Sequence, residues 1–177
     1  MREEIEKLER LSNRKLVGNR HHFWQIGSKP EKTLQLHYQN GLMYDSSIAF
    51  NDAPGYRRSI ALPYLLFDKK LNQAINIMEI PTFMMDSNFM LNPEFGQEEA
   101  FDQAKHYIDK FHAIGGVGAI DWHVRTSSTN SSRFRKWGEV YLQILEYLSK
   151  QEGIWVTNFE TFQRWMIKRN ETLYNKT

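Results

Sequence analysis

The spacing of apolar positions divides the chain into helical and extended stretches. The opening run MREEIEKLER predicts a charged helix, with Ile5, Leu8 and Leu11 as its stripe and Glu3–Lys7 and Glu6–Arg10 as i,i+4 pairs. Residues 16–21 predict a short strand that runs into a loop. The run SKPE at 28–31 reads as a helix start, with Ser28 as the cap, Pro30 in the first turn and Glu31 reaching back. Leu34, His37 and Tyr38 mark one face of that helix, and Gly41 closes it. A strand is expected at 42–46. Residues 51–58 (NDAPGYRR) are turn-rich, so 51–76 reads as a long loop, and the next strand is expected over 75–83. Residues 97–114 predict a helix with Phe101, Ala104, Ile108 and Phe111 on one face; 136–150 predict another with Trp137, Val140, Tyr141, Ile144, Leu145 and Leu148 on one side. Between them, VGAIDWH at 117–123 predicts a buried strand. A short strand at 154–156 precedes a last helix, opened by the capping box Thr157-x-x-Glu160 and carrying Phe159, Phe162 and Met166. Residues 170–177 are polar and expected to fray. Strands alternating with helices of this length argue for parallel βαβ units in an α/β fold.

Composition narrows the class. The 177 residues suit a single domain over 1–177, 41% hydrophobic and 25% charged, and the 14% aromatic content argues against disorder. No stretch approaches the roughly 20 apolar residues needed to span a bilayer, and the charged opening helix is not a signal peptide. The compartment is unknown, with the cytoplasm as default. The absence of cysteine excludes disulfides, thiolate metal sites and cysteine nucleophiles. A net charge of +2 without blocks of like charge gives nucleic-acid binding no support.

Arg20, Asp45, Asp86, His123 and Thr157 each fall near the carboxyl end of a predicted strand, where β/α folds build their sites. Read with a period of two, the strand 117–123 places Val117, Ala119, Asp121 and His123 on one face and Ile120 and Trp122 on the other, towards outer helices. His123 at the mouth of the sheet is a candidate general acid or base, with Asp121 on the same face to orient its ring. The adjacent His21 and His22 point to opposite faces, and His37 reads as a surface or packing residue. No H-x-x-x-H or H-x-H pair exists, so spacing shows no metal site. Arg20 reads as an anion-binding or solvated arginine, and Asp45 as a turn, cap or site residue. Glu79, inside an apolar strand, reads as paired structurally or functional.

Four stretches, in order, carry a resemblance. They are Gly18-Asn-Arg20-His-His-Phe-Trp24, Gly41-Leu-Met-Tyr-Asp45-Ser-Ser47, Pro54-Gly-Tyr-Arg57 with Leu62-Pro-Tyr64 and Met78-Glu-Ile-Pro81, and Gly115-Gly-Val117 leading to Trp122-His123. From about Val17 to Trp165 the chain resembles the second half of a polysaccharide deacetylase domain (carbohydrate esterase family four). The resemblance implies a distorted, seven-stranded (β/α) barrel, here partial and lacking its N-terminal strands. It also implies hydrolysis of N- or O-acetyl groups on an oligo- or polysaccharide. In that family a divalent metal, often zinc, is held by one Asp and two His and activates water, an aspartate acts as base, and a histidine protonates the leaving group. By resemblance His123 matches the acid, Arg20 the arginine that steadies the base, Asp45 the acid's surroundings, and Arg57 a subgroup arginine on the substrate side.

Two departures follow. Asp121 stands where the family's closing motif has a leucine that walls the acetyl pocket. The early aspartate pair and the H-x-x-x-H motif have no counterpart upstream of Val17. The expectation is therefore a chain with no metal ligand of its own and no activity alone. It pairs with itself as a homodimer or with a complementing N-terminal half, because a partial barrel leaves open strand edges. The alternative is a glycan-binding module in which exposed Trp24, Tyr56 and Tyr64 stack on sugars.

Overall fold

The computed structural model describes residues 1–93 and 95–174. It is an α/β fold with mixed sheets, and the chain forms two compact units. Unit 1 collects Met1–Ser47, Pro63–Ile80 and the segment from Thr157; unit 2 collects Ile48–Leu62 and Pro81–Val156. Among the described residues no helix is long and apolar enough to cross a membrane.

Unit 1 opens with helix α1 (Arg2–Ser12) and the two-residue strand β1 (Gly18–Asn19). A 3-10 turn at His22–Trp24 and helix α2 (Pro30–Gln39) lead to strand β2 (Tyr44–Asp45). Pro30 sits in the first turn of α2 as expected, but the cap position is Lys29 and no side chain bonds there, so Ser28 is not the cap. Leu34 and His37, one turn apart, are the buried face, and Gly41 ends the helix at φ 86°.

The stretch read as a loop holds a hairpin. Strand β3 (Tyr64–Asp68) pairs antiparallel with β4 (Gln73–Glu79). Asp68 Oδ1 accepts the backbone N–H groups of Lys70 and Leu71, which bends the chain, and Asn72 takes the left-handed φ of 51° that completes the turn. The sheet runs β1-β2-β4-β3, with β1, β2 and β4 parallel.

The strand expected over 75–83 is two strands. β4 ends at Glu79, and β5 (Thr82–Met85) begins beyond Pro81, which has no N–H to give a continuing ladder. The last helix, α7 (Phe159–Tyr174), is capped by Asn158, whose Oδ1 accepts the Thr161 N–H, in place of the expected Thr157. It stays helical through Tyr174; the remainder of the expected frayed tail, 175–177, lies outside the described residues. Its Phe159 ring lies 5.6 Å from that of Tyr44, and Glu160 pairs with Arg14 at 3.3 Å.

In unit 2, β5 pairs in parallel with β6 (Ala119–Asp121). Helices α3 (Asp86–Met90), α4 (Gln97–Ala113), α5 (Val124–Ser127) and α6 (Arg135–Ser149) complete it. The 3.6-residue period is realised in α4, where Ala100, Ala104, Ile108 and Phe111 are buried, and in α6, where Trp137, Val140, Ile144 and Leu148 are. With Phe83, Met84 and Phe89 these faces form one apolar cluster. Each fully buried Ile or Val in it stabilises the fold by about 1.5–3 kcal/mol. Phe101, expected on the α4 core face, sits beside it with its ring edge-on to Tyr147. The strand expected at 154–156 does not form; Trp155 and Val156 are exposed in irregular backbone.

Candidate functional site

Among the described residues, each unit holds a cluster built on a fully buried aspartate. In unit 2 the register Met85↔Asp121 brings the carboxyl ends of β5 and β6 side by side. The residues just beyond those ends are Asp86, which opens α3, and His123, the N-cap of α5. Asp86 is fully buried, and its Oδ1 lies 2.7 Å from His123 Nδ1. Its Oδ2 accepts the His123 backbone N–H at 3.3 Å and the Thr126 hydroxyl. The His123 side chain keeps 31% of its surface exposed.

This geometry holds the Nδ1 proton on the side of the carboxylate. It leaves Nε2, which has no partner among the described residues, to give or take a proton. The same logic orients the histidine of a carboxylate–imidazole dyad. Asp121 is half-buried on β6, but the carboxylate that holds the ring is Asp86. Alternate residues of one strand stand nearly 7 Å apart, whereas neighbouring strands stand about 4.8 Å apart, so the cross-strand carboxylate reaches the imidazole first. The other face of β6 packs as its period implies: Trp122 stacks on Tyr141 at 5.3 Å and donates its indole N–H to the Thr126 carbonyl.

Arg57 and Tyr56 also belong to unit 2. Arg57 is exposed, with Nη1 donating to the Ala49 carbonyl at 3.3 Å. Tyr56 is half-buried and donates its hydroxyl to the Val117 carbonyl, and burial pushes its phenol pKa upward. Tyr56 is thus engaged within the fold, not free as a sugar platform.

In unit 1, His21 follows β1, His37 lies on the buried face of α2, and Asp45 ends β2. Asp45 and His37 are fully buried and His21 is half-buried. The Tyr44-Asp45-Ser46-Ser47 stretch is a bracket. Ser47 N–H donates to Asp45 Oδ1 at 2.8 Å, the Ser47 hydroxyl accepts the His21 N–H at 2.9 Å, and Ser46 Oγ donates to the Ile80 carbonyl. His21 Nε2 lies 3.0 Å from His37 Nε2, and their rings stack at 5.0 Å. His37 Nδ1 lies 3.1 Å from Asp45 Oδ2 without hydrogen-bond alignment, and both atoms lack a hydrogen-bond partner. Burial and then the neighbouring His37 hold the His21 imidazole below its ordinary pKa, against the opposing pull of Asp45. One donor atom from each of the three residues lies within 4.8 Å of the other two.

Spacing along the chain misses this trio, because its members come from three elements. The readable signal is His37 falling one turn after Leu34 on the helix face that must be buried. Arg20 is exposed, its guanidinium 5.8 Å above the Trp24 ring. Trp24 is only 6% exposed, which corrects its expected role as an open stacking surface. Phe23 and Trp24 both take left-handed backbone angles, and the resulting tight turn folds the indole inward.

No protein-family model matches this sequence, and no curated protein does either. Among solved structures, the chain is similar to that of an allantoinase, PuuE, with a TM-score of 0.66 and 19% identity. The likeness covers 99% of this chain and 52% of the allantoinase. Over these residues the chain shares the fold of that allantoinase. The chain spans about half the length of that allantoinase.

Proposed function

We propose that the chain is the general-acid part of a deacetylase-type hydrolase that cleaves acyl groups from nitrogen or oxygen, with acetylated glycans as the substrate class. The observation that carries this reading is the Asp86–His123 pair at the ends of two adjacent parallel strands. The fold likeness to an allantoinase, itself named as an enzyme, supports a catalytic reading over a purely glycan-binding one. So does the burial of Trp24.

His123, fixed through Nδ1 by Asp86, presents Nε2 to protonate the departing amine or alcohol. The buried carboxylate stabilises the imidazolium before the proton leaves it. Thr126 and the His123 backbone N–H hold that carboxylate in place. By resemblance, Arg20 steadies a base, and Arg57 and Asp121 lie on the substrate side. A metal in the resembled family polarises the acyl carbonyl and activates water. The H-x-x-x-H motif that holds it there has no counterpart in these 177 residues.

The test uses the chain alone, and mixed with a polypeptide that carries the family's aspartate pair and H-x-x-x-H motif, both supplied with zinc. Acetate release from an acetylated chitooligosaccharide is expected only from the mixture. His123→Ala is expected to slow it about 10²–10⁴-fold. Release from the mixture that is unchanged in His123→Ala refutes the acid role. No release from the mixture refutes the deacetylase reading, and release by the unmixed chain refutes the need for a complementing half.

A further inference from the structure

We propose that His21, His37 and Asp45 form a divalent transition-metal site inside unit 1, of the class that takes zinc. His37 Nδ1 and Asp45 Oδ2 are buried polar atoms with no hydrogen-bond partner, although their side chains are fully enclosed. Buried polar groups are nearly always satisfied, and an orphaned pair this close together marks a missing partner. The two Nε2 atoms, 3.0 Å apart, share one hydrogen-bond proton, and a cation would take that proton's place.

The donor set fits. Two imidazoles and one carboxylate make a three-protein-ligand set that leaves a fourth, tetrahedral position for water. Bonds of about 2.0–2.2 Å place tetrahedral donors about 3.4 Å apart. The two short approaches here use opposite nitrogens of His37, so one of them becomes a ligand pair and the third donor closes from at most 4.8 Å by side-chain rotation. Nitrogen donors select zinc-like ions, whereas magnesium and calcium take oxygen ligands.

The supports of the trio are in place as well. Ser47 N–H holds Asp45 Oδ1, which leaves Oδ2 as the free oxygen, and the Ser47 hydroxyl fixes the backbone of His21. Such outer partners orient metal ligands. His21, the half-exposed member, marks the side from which an ion and its water would enter. This site is independent of His123 and stands whether or not the hydrolase reading holds.

The test is metal binding by the 177-residue chain, read without any activity assay. After removal of adventitious metal, the chain is expected to take up one equivalent of zinc by elemental analysis. Cobalt is expected to give tetrahedral ligand-field absorption that zinc abolishes. His21→Ala, at a half-exposed position, is expected to weaken zinc binding by more than the about 100-fold that losing an outer-shell partner costs. Asp45→Asn, checked for folding by circular dichroism, is expected to do the same. The exposed pair His106→Ala/His112→Ala should leave binding unchanged. Absence of stoichiometric zinc, magnesium binding as tight as zinc, or unchanged binding in His21→Ala overturns the site.

Discussion

Gly138 offers a sharp check on the packing that holds His123. It lies inside helix α6, where an alanine normally stabilises by about 0.8–1.0 kcal/mol relative to glycine. Here a Cβ would stand 2.7 Å from the Ser128 carbonyl carbon, 2.8 Å from its oxygen and 2.9 Å from the Thr129 nitrogen. Ordinary contact begins at 3.4 Å, so the backbone just after α5 would have to give by 3.4 − 2.7 = 0.7 Å. Inserting a methyl into packed surroundings costs about 1–3 kcal/mol. Subtracting the helix-propensity gain leaves a net loss of about 1 kcal/mol. For a chain of this length that lowers Tm by about 2–4 °C. The assay is urea unfolding of Gly138→Ala beside Gln143→Ala, an exposed position of the same helix expected to stay within about 0.5 kcal/mol. If Gly138→Ala were instead stabilised by close to the full propensity gain, α6 would not rest on residues 128–129. The placement of α5, with Thr126 and His123, would then have to come from elsewhere.

Other perturbations test the remaining assignments. Trp24→Ala should destabilise by about 3–5 kcal/mol, measured by urea unfolding, with Trp24→Phe recovering most of the loss; full stability with weakened oligosaccharide binding would restore Trp24 as a sugar platform. Hydrogen bonds from Lys105 and then Tyr147 hold the Asp109 carboxyl below its ordinary value of 3.8. The unfolded chain therefore takes up this proton at higher pH than the folded one, and the stability it contributes is complete above about 3.8 and lost on further acidification. Tyr147→Phe should destabilise near pH 7, with the difference from the parent shrinking as the pH falls below about 3.8; a difference that is flat with pH would refute the pairing.

Helices α4 and α6 were legible because a long, regular apolar period leaves one solution, a face turned to the core. Asp86 and His123 were legible as positions, since polar residues ending predicted strands point to one rim. Their pairing was not, because it depends on which strands are neighbours, and Asp121 was the nearer carboxylate in sequence. The β3–β4 hairpin was hidden behind the turn-rich residues 51–58, and its five-residue first strand alternates between half-buried and exposed without a clean apolar face. Pro81 carried the signal for the break between β4 and β5, which the continuous apolar run 75–83 masked. His37 was hidden for a related reason. Leu34 and His37 share the buried face of its helix, whereas Tyr38, expected beside them, is exposed, and a histidine on a buried face declares its role only when residues 16 positions before and 8 after it arrive beside it.

The scattered make-up of unit 1 bears on how the chain emerges during synthesis. Its first strands are made early, yet α7 follows Ile80 only after the whole of Pro81–Val156. At about 5–20 residues per second that interval is about 4–15 s. By its end unit 2, whose first segment Ile48–Leu62 is already made, has every residue it needs, while Tyr44 still waits for Phe159 and Arg14 for Glu160. The unit that starts first on the ribosome is thus the one that finishes last. A premature stop shortly before α7 would spare the Asp86–His123 pair and leave β2, which carries Asp45, without its Tyr44–Phe159 contact.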